Sequence, residues 1–103
     1  MLNILLICNQ GTSVSMLPKK IVDYAKGIGV EAHAEAASFV NMSNLAAKTD
    51  ILLIGPQARH LLKKMQAEYG DKIPVIQVID MMSFGLLKAD KIFDTAYKAY
   101  TER

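Results

Sequence analysis

One cysteine stands among 103 residues, and the residues after it are the most chemically loaded stretch of the chain. Cys8-Asn9-Gln10-Gly11-Thr12-Ser13-Val14-Ser15 puts one thiol, one glycine and three hydroxyls within eight residues. Successive backbone N–H groups in such a loop, joined by the free N–H groups and dipole of a following helix, make a concave anion site. The same setting favours a thiolate, because a helix N-terminus lowers a cysteine's pKa and the thiolate is the nucleophile. A nucleophilic sulfur facing an anion site predicts a thiophosphate, with Cys8 as acceptor and Asn9, Gln10, Gly11, Thr12, Ser13, Val14 and Ser15 as the phosphate-binding loop. The competing reading makes Cys8 a small buried hydrophobe at a strand end, as free cysteines often are.

The flanking sequence supplies elements that would hold such a loop. Leu2 to Ile7 is a near-continuous apolar run, as expected of a strand buried on both faces of a parallel sheet. Beyond the loop, Leu17, Ile21, Tyr24 or Ala25, and Ile28 recur at helical spacing until Gly27 and Gly29. Pro18 has no N–H and is tolerated only in a first turn, so regular helix bonding begins near Ser15 or the helix is kinked. Val30, Ala32, Ala34 and Ala36 alternate with Glu31, His33 and Glu35, which suits a less buried edge strand. Asn41 to Lys48 reads as a short helix, and Ile51 to Ile54 before Gly55-Pro56 repeats the buried-strand pattern. Ala58, Leu61, Leu62, Met65 and Tyr69 form a helical stripe that stops at Gly70, and Val75 to Ile79, entered through Pro74, is a fourth strand. Met81 to Leu87 reads as irregular or a short turn, and a last helix starts from Asp90 as N-cap and carries Ile92, Phe93, Ala96, Tyr97 and Tyr100.

Strands alternating with helices imply parallel pairing through right-handed crossovers. The expected fold is α/β, a three-layer sandwich with a four-stranded parallel sheet in the order 2-1-3-4 and helices on both faces. Ligands of such sheets sit beyond the strand C-termini where the strand order reverses, so Cys8 and Gly55 would flank the site. The length suits a single domain over residues 1–103.

Bulk composition narrows the classes. With 51% hydrophobic and 21% charged residues the chain has the make-up of a folded protein and not of a disordered one. A net charge of +2 with basic residues scattered, Lys19-Lys20 and Lys63-Lys64 being the adjacent pairs, argues against a nucleic-acid partner. A lone cysteine makes neither an internal disulfide nor a CxxC pair, which fits a reducing compartment. No apolar run reaches the roughly 18 to 20 residues of a membrane span, and Leu2 to Ile7 lacks a basic leader, so a cytoplasmic location is expected. His33 and His60 read as surface residues, Asp80 as the cap of the turn that follows it, and the six methionines as core filler. No metal or cofactor is called for.

On these residues the chain resembles a family, the IIB components of the lactose/cellobiose/chitobiose class of the phosphoenolpyruvate-dependent sugar phosphotransferase system. The resemblance runs over nearly the whole chain. It rests on the strand leading into Cys8, the Gly11 to Ser15 loop, Leu53-Ile54-Gly55-Pro56-Gln57, Pro74-Val75 through Ile79-Asp80, and Phe84-Gly85. It implies a four-stranded parallel sandwich whose Cys8 takes phosphate from a phosphohistidine on a IIA protein. Cys8 would then yield it to a sugar held by the IIC membrane permease: cellobiose, chitobiose, lactose or a related β-glycoside. That makes the chain a phosphotransferase working at the inner face of the membrane. The chain departs from the family at Arg59-His60, where members often carry an aromatic residue, and at Phe84, where they often carry tyrosine.

The chemical rival is a hydrolase similar to low-molecular-weight protein tyrosine phosphatases, which need an arginine six positions after the cysteine. That position is Val14, and no arginine occurs before Arg59. A bidentate guanidinium would stabilise the phosphoryl transition state strongly, whereas a carrier must hold the group and still release it. A non-catalytic domain of receiver-like or flavodoxin-like fold is a further alternative. It is disfavoured by the lack of an acidic cluster at the first strand's end and by the absence of tryptophan.

Overall fold

The structure, a computed structural model, describes residues 1–7, 16–37 and 46–102. Strands β1 (Leu2–Ile7), β2 (Ala32–Ala37), β3 (Ile51–Ile54) and β4 (Val75–Val78) form one parallel sheet in the order β2-β1-β3-β4, as expected. The helices are α1 (Leu17–Gly27), α2 (Leu62–Tyr69), α3 (Met81–Gly85) and α4 (Ala89–Glu102), with 3₁₀ turns at Ala46–Lys48 and Pro56–Leu61.

Register follows from the pleat. Ile4 and Leu6 pair with Ile51 and Leu53, and Ile51 with Val75, so these side chains share one face of the sheet. That face is covered by Leu17, Ile21 and Ala25 of α1 and by Ile92, Phe93 and Ala96 of α4. Leu5, Ile7, Leu52 and Ile54 point the other way, under Ala58 of the 3₁₀ turn, Met65 of α2 and Ile73. The result is three layers with β1 and β3 dry on both sides. Each fully buried leucine or isoleucine contributes about 1.5 to 3 kcal/mol relative to exposure. These two strands bury nine leucine and isoleucine side chains between them.

β2 lies at one edge, with His33 and Glu35 exposed and Ala32 and Ala34 half-buried against the α1 layer, which explains its alternating sequence. α1 opens at Leu17 with Pro18 in its first turn, where a missing N–H costs nothing; the Lys20 N–H donates to the Met16 carbonyl at 3.2 Å. Its far end closes by a Schellman motif: the Val30 N–H reaches the Ala25 carbonyl at 2.8 Å, with Gly29 at φ +82°.

Three local expectations need correction. The segment after Gly55 begins as a 3₁₀ turn, with Ala58 at φ −109° and ψ 17°, before α2 takes up regular bonding at Leu62. Met81 to Gly85 is a short α-helix and not an irregular turn. The last helix begins at Ala89, so Asp90 lies in its first turn and does not cap it. Of the helix expected over Asn41 to Lys48, the described part is the 3₁₀ turn at its end, and 41–45 lie outside the described residues.

Candidate functional site

The C-terminal ends of three strands are stitched together in a row. The Gly55 N–H donates to the Ile7 carbonyl at 2.8 Å, and the Ile79 N–H to the Ile54 carbonyl at 2.8 Å. Ile7 therefore ends beside Gly55, between β1 and β3, where connections leave the sheet in opposite directions and crevices form in doubly wound folds. Met16, the residue before α1, opens a helix that covers β1, and α1 returns to the opposite end of the sheet, where the Leu2 N–H bonds the Glu31 carbonyl at 3.0 Å. Ile7 and Met16 are the described residues on either side of the predicted loop. Cys8, Asn9, Gln10, Gly11, Thr12, Ser13, Val14 and Ser15 themselves lie outside the described residues.

Around that switch point, the segments after β3 and β4 form a groove of about 440 Å³ lined by Pro56, Gln57, Arg59, Met81, Phe84 and Gly85. Pro56 and Phe84 are buried and form its base, while Arg59 and Met81 are exposed along it. α3 exists because both of its ends are secured. The Asp80 carboxylate accepts from the Ser83 N–H at 3.0 Å as an N-cap. At the other end the Lys88 N–H reaches the Ser83 carbonyl at 2.8 Å, with Leu87 in the left-handed region at φ 51°. Leucine pays strain there, and its side chain, half-buried against the α1–α4 core, offsets it.

Hydrogen bonds from the Ser83 side chain and backbone hold the Asp80 carboxyl below the usual carboxylate range. It is an ionised cap, as expected from its place after strand four, and it is engaged locally. Arg59 and His60 are exposed on the 3₁₀ turn, and His33 is exposed on β2. Among the described residues no three histidine, cysteine or acidic side chains gather as a metal site.

The groove is not visible in the sequence, because its walls are two segments 25 residues apart whose patterns predict a regular helix and an irregular turn. The methionines, expected in the core, also lie elsewhere. Of the five described, Met65 alone is core, whereas Met1, Met16, Met81 and Met82 are 60 to 79% exposed. The adjacent, unpatterned pair Met81-Met82 soon after a strand was the available signal.

Residues 3–95 match the family described as the lactose/cellobiose-specific IIB subunit of the phosphotransferase system. The chain is 36% identical over 96 residues to an oligo-β-mannoside-specific EIIB component of Bacillus subtilis, covering 93% of each protein. It is 30% identical over 102 residues to a cellobiose-specific EIIB component of Lactococcus lactis, covering 90% of this chain and 91% of that one. The fold superposes with a TM-score of 0.77 on the solution structure of a cellobiose-specific IIB component from Borrelia burgdorferi, at 31% identity over 98% of this chain and 93% of the other.

Proposed function

The chain belongs to the lactose/cellobiose-specific IIB family of the sugar phosphotransferase system, and from that premise we propose that Cys8 is its phosphoryl carrier. IIB components of this system are sugar-specific phosphotransferases that work with IIA and IIC partners. The observation that carries the residue assignment is the Gly55-to-Ile7 hydrogen bond at the switch point, since Cys8 follows Ile7 directly in the chain and is its only thiol.

The Cys8 thiolate attacks the phosphorus of a phosphohistidine on the IIA protein; the S–P bond forms, the P–N bond breaks, and the histidine leaves with the electron pair. In the second step a sugar hydroxyl oxygen held by the IIC permease attacks the same phosphorus. The O–P bond forms, the S–P bond breaks and the thiolate is regenerated, while the hydroxyl proton passes to a base on the sugar's side. Backbone N–H groups of Asn9 to Ser15 hold the phosphoryl oxygens in both steps, because the loop carries no cationic side chain. In-line approach and exclusion of water favour transfer over hydrolysis. The sugar is a β-glycoside of the cellobiose, chitobiose or lactose kind. Similar components named for oligo-β-mannosides and for cellobiose match this chain comparably in extent, which fits a selectivity set by the permease. No described helix is long and apolar enough to cross a membrane, and the chain works at the inner face by docking to that permease.

The test mixes the chain with the general phosphotransferase proteins, phosphoenolpyruvate and a IIA protein of this class, and reads intact mass. One acid-labile phosphoryl group is expected on the native chain and none on Cys8→Ser. Label that persists in Cys8→Ser, or that maps to His33 or His60, overturns the assignment.

A further inference from the structure

The two edges of the sheet are guarded differently. β4 is four residues long and is preceded by Pro74. β2 runs for six residues, Ala32–Ala37, and contains neither lysine nor proline. Its pairing with β1 advances residue for residue from Leu2 and Ala32 to Ile7 and Ala37, so no bulge interrupts it. Shortness, lysine, proline and bulges are the usual guards against pairing at a sheet edge, and β2 has none of them. An open crease of about 360 Å³, lined by Met1, Val22, Lys26, Val30 and Ala32, lies between α1 and the start of the strand, so the edge is accessible from that face as well.

The ladder fixes which backbone groups of β2 face outward. The Leu2 N–H bonds the Glu31 carbonyl at 3.0 Å, and along a strand alternate residues bond to the same neighbour. Glu31, His33 and Glu35 therefore turn their N–H and C=O groups toward β1, whereas those of Ala32, Ala34 and Ala36 point away from the sheet. The side chains of His33, Glu35 and Ala36 are exposed, and those of Ala32 and Ala34 are half-buried. Small residues thus carry the free backbone groups, and the two polar side chains flank Ala34.

We propose that β2 pairs antiparallel with β2 of a second copy of this chain, about a two-fold axis at Ala34, joining two four-stranded sheets into one. An axis perpendicular to the sheet keeps each side chain on its own face, so even-numbered residues meet even-numbered ones and odd meet odd. Centred on His33, the pairing sets histidine against histidine and Glu31 against the partner's Glu35; centred on Glu35, it sets glutamate against glutamate. Centred on Ala34, it sets His33 against the partner's Glu35 and Glu35 against the partner's His33. That register is self-complementary. It also brings Ala32 opposite the partner's Ala36 and Ala34 opposite the partner's Ala34, so the outward N–H and C=O groups close reciprocal hydrogen bonds. His33 and Glu35 then occupy the positions between those bonds, where opposing Cα atoms approach to about 4.5 Å and side chains are closest. Histidine donates an N–H to a carboxylate whether neutral or charged, and opposite partners at such positions stabilise a strand pair while like charges weaken it. Antiparallel pairing places the Ile7 ends of the two β1 strands at opposite ends of the joined sheet. Two short strands bury little surface, so the pair is transient, with a Kd on the order of 0.1 to 1 mM.

Concentration is the first test. Sedimentation velocity between about 10 μM and about 1 mM should show monomer giving way to dimer, and the isotope-labelled chain should show amide shifts and slowed exchange at Ala32, Ala34 and Ala36 over the same range. In a mixture of labelled and unlabelled chains, a cross-chain nuclear Overhauser contact is expected between the α-protons of His33 and the partner's Glu35. Variants then test the register. Ala34→Pro deletes an outward N–H without touching the bonds to β1, and should stay monomeric at about 1 mM. His33→Glu sets glutamate against glutamate on both sides of the axis and should weaken association about tenfold. The double variant His33→Glu/Glu35→Lys reverses the pair and should return to within about threefold of the native chain. If Ala34→Pro does not fold, the two charge variants, at exposed side chains, decide the matter. A native chain that stays monomeric at about 1 mM, shifts confined to other surfaces, a dimer indifferent to His33→Glu, or a charge swap that restores nothing overturns the pairing. So do β2 amides that respond to a IIA protein and not to concentration, which would mark a different occupant of the edge.

Discussion

Asp80 is committed to structure by its hydrogen bonds. Its carboxylate receives Ser83 hydrogen bonds that favour the charged form, so its folded pKa lies below its unfolded value of about 4. A depressed carboxylate pKa means stability that is present above the unfolded value and is lost as pH falls through the folded one. The melting-temperature advantage of the native chain over Asp80→Ala should therefore be full at pH 7 and shrink on acidification below about pH 4. Asp80→Asn, which keeps a capping oxygen, should fall between the two at neutral pH. An advantage that stays constant or grows in acid would refute this account. Val14 raises a different residue-scale question, since an arginine there would clamp a phosphoryl group. The native chain should show negligible turnover of p-nitrophenyl phosphate. Val14→Arg should bind vanadate more tightly, by up to the factor of about 100 that one transition-state donor is worth, while transfer to sugar slows. Efficient hydrolysis by the native chain, abolished in Cys8→Ser, would promote the phosphatase reading.

At the scale of elements, what sequence made legible depended on length and pattern. β1 and β3 announced themselves as apolar runs ending in polar or glycine-rich turns, and both are buried throughout apart from Asn3. α1 and α4 run 11 and 14 residues, long enough for a helical stripe to repeat. α3 is five residues, too short for any periodicity, and its stability comes from a cap, a Schellman closure and the burial of Phe84. None of these is visible as a pattern. Gly85 is the last residue of α3, yet the left-handed position falls two residues later, on Leu87. The candidate site divides the same way: the loop after β1 is proposed from its composition and lies outside the described residues, whereas the groove arises from the packing of the turn after β3 against α3. α1 offers the clean contrast to α3, because its left-handed position is occupied by Gly29 and a Cβ there would meet nothing within 4 Å. Gly29→Ala thus tests backbone strain without a clash. It should cost about 1 to 2 kcal/mol, read as a lower urea midpoint with unchanged slope. No loss of stability would show that the chain relaxes out of the Schellman geometry at no cost.

At the scale of the whole molecule, the described residues build two core clusters on one sheet. The α1–α4 cluster and the α2-side cluster share no residue, but both are built on β1 and β3, whose alternate side chains enter one or the other. Losing either helical layer exposes one face of the strands that carry the opposite layer, so we propose that residues 1–103 unfold as one cooperative domain. Ile21, fully buried on α1, and Ile73, 2% exposed on the other face, report on the two layers separately. Ile21→Val and Ile73→Val each remove one methylene and should cost about 0.5 to 1.5 kcal/mol. For a chain of this size that shifts the melting temperature by roughly 2 to 12 °C, at 4 to 8 °C per kcal/mol. Each variant should move one and the same transition, and the double variant should equal the two single losses within about 0.5 kcal/mol, since the sheet separates sites that share no partner. Two resolved transitions, each displaced by one variant only, would show that the layers melt independently. The end of β1 would then be only as stable as the weaker layer beside it.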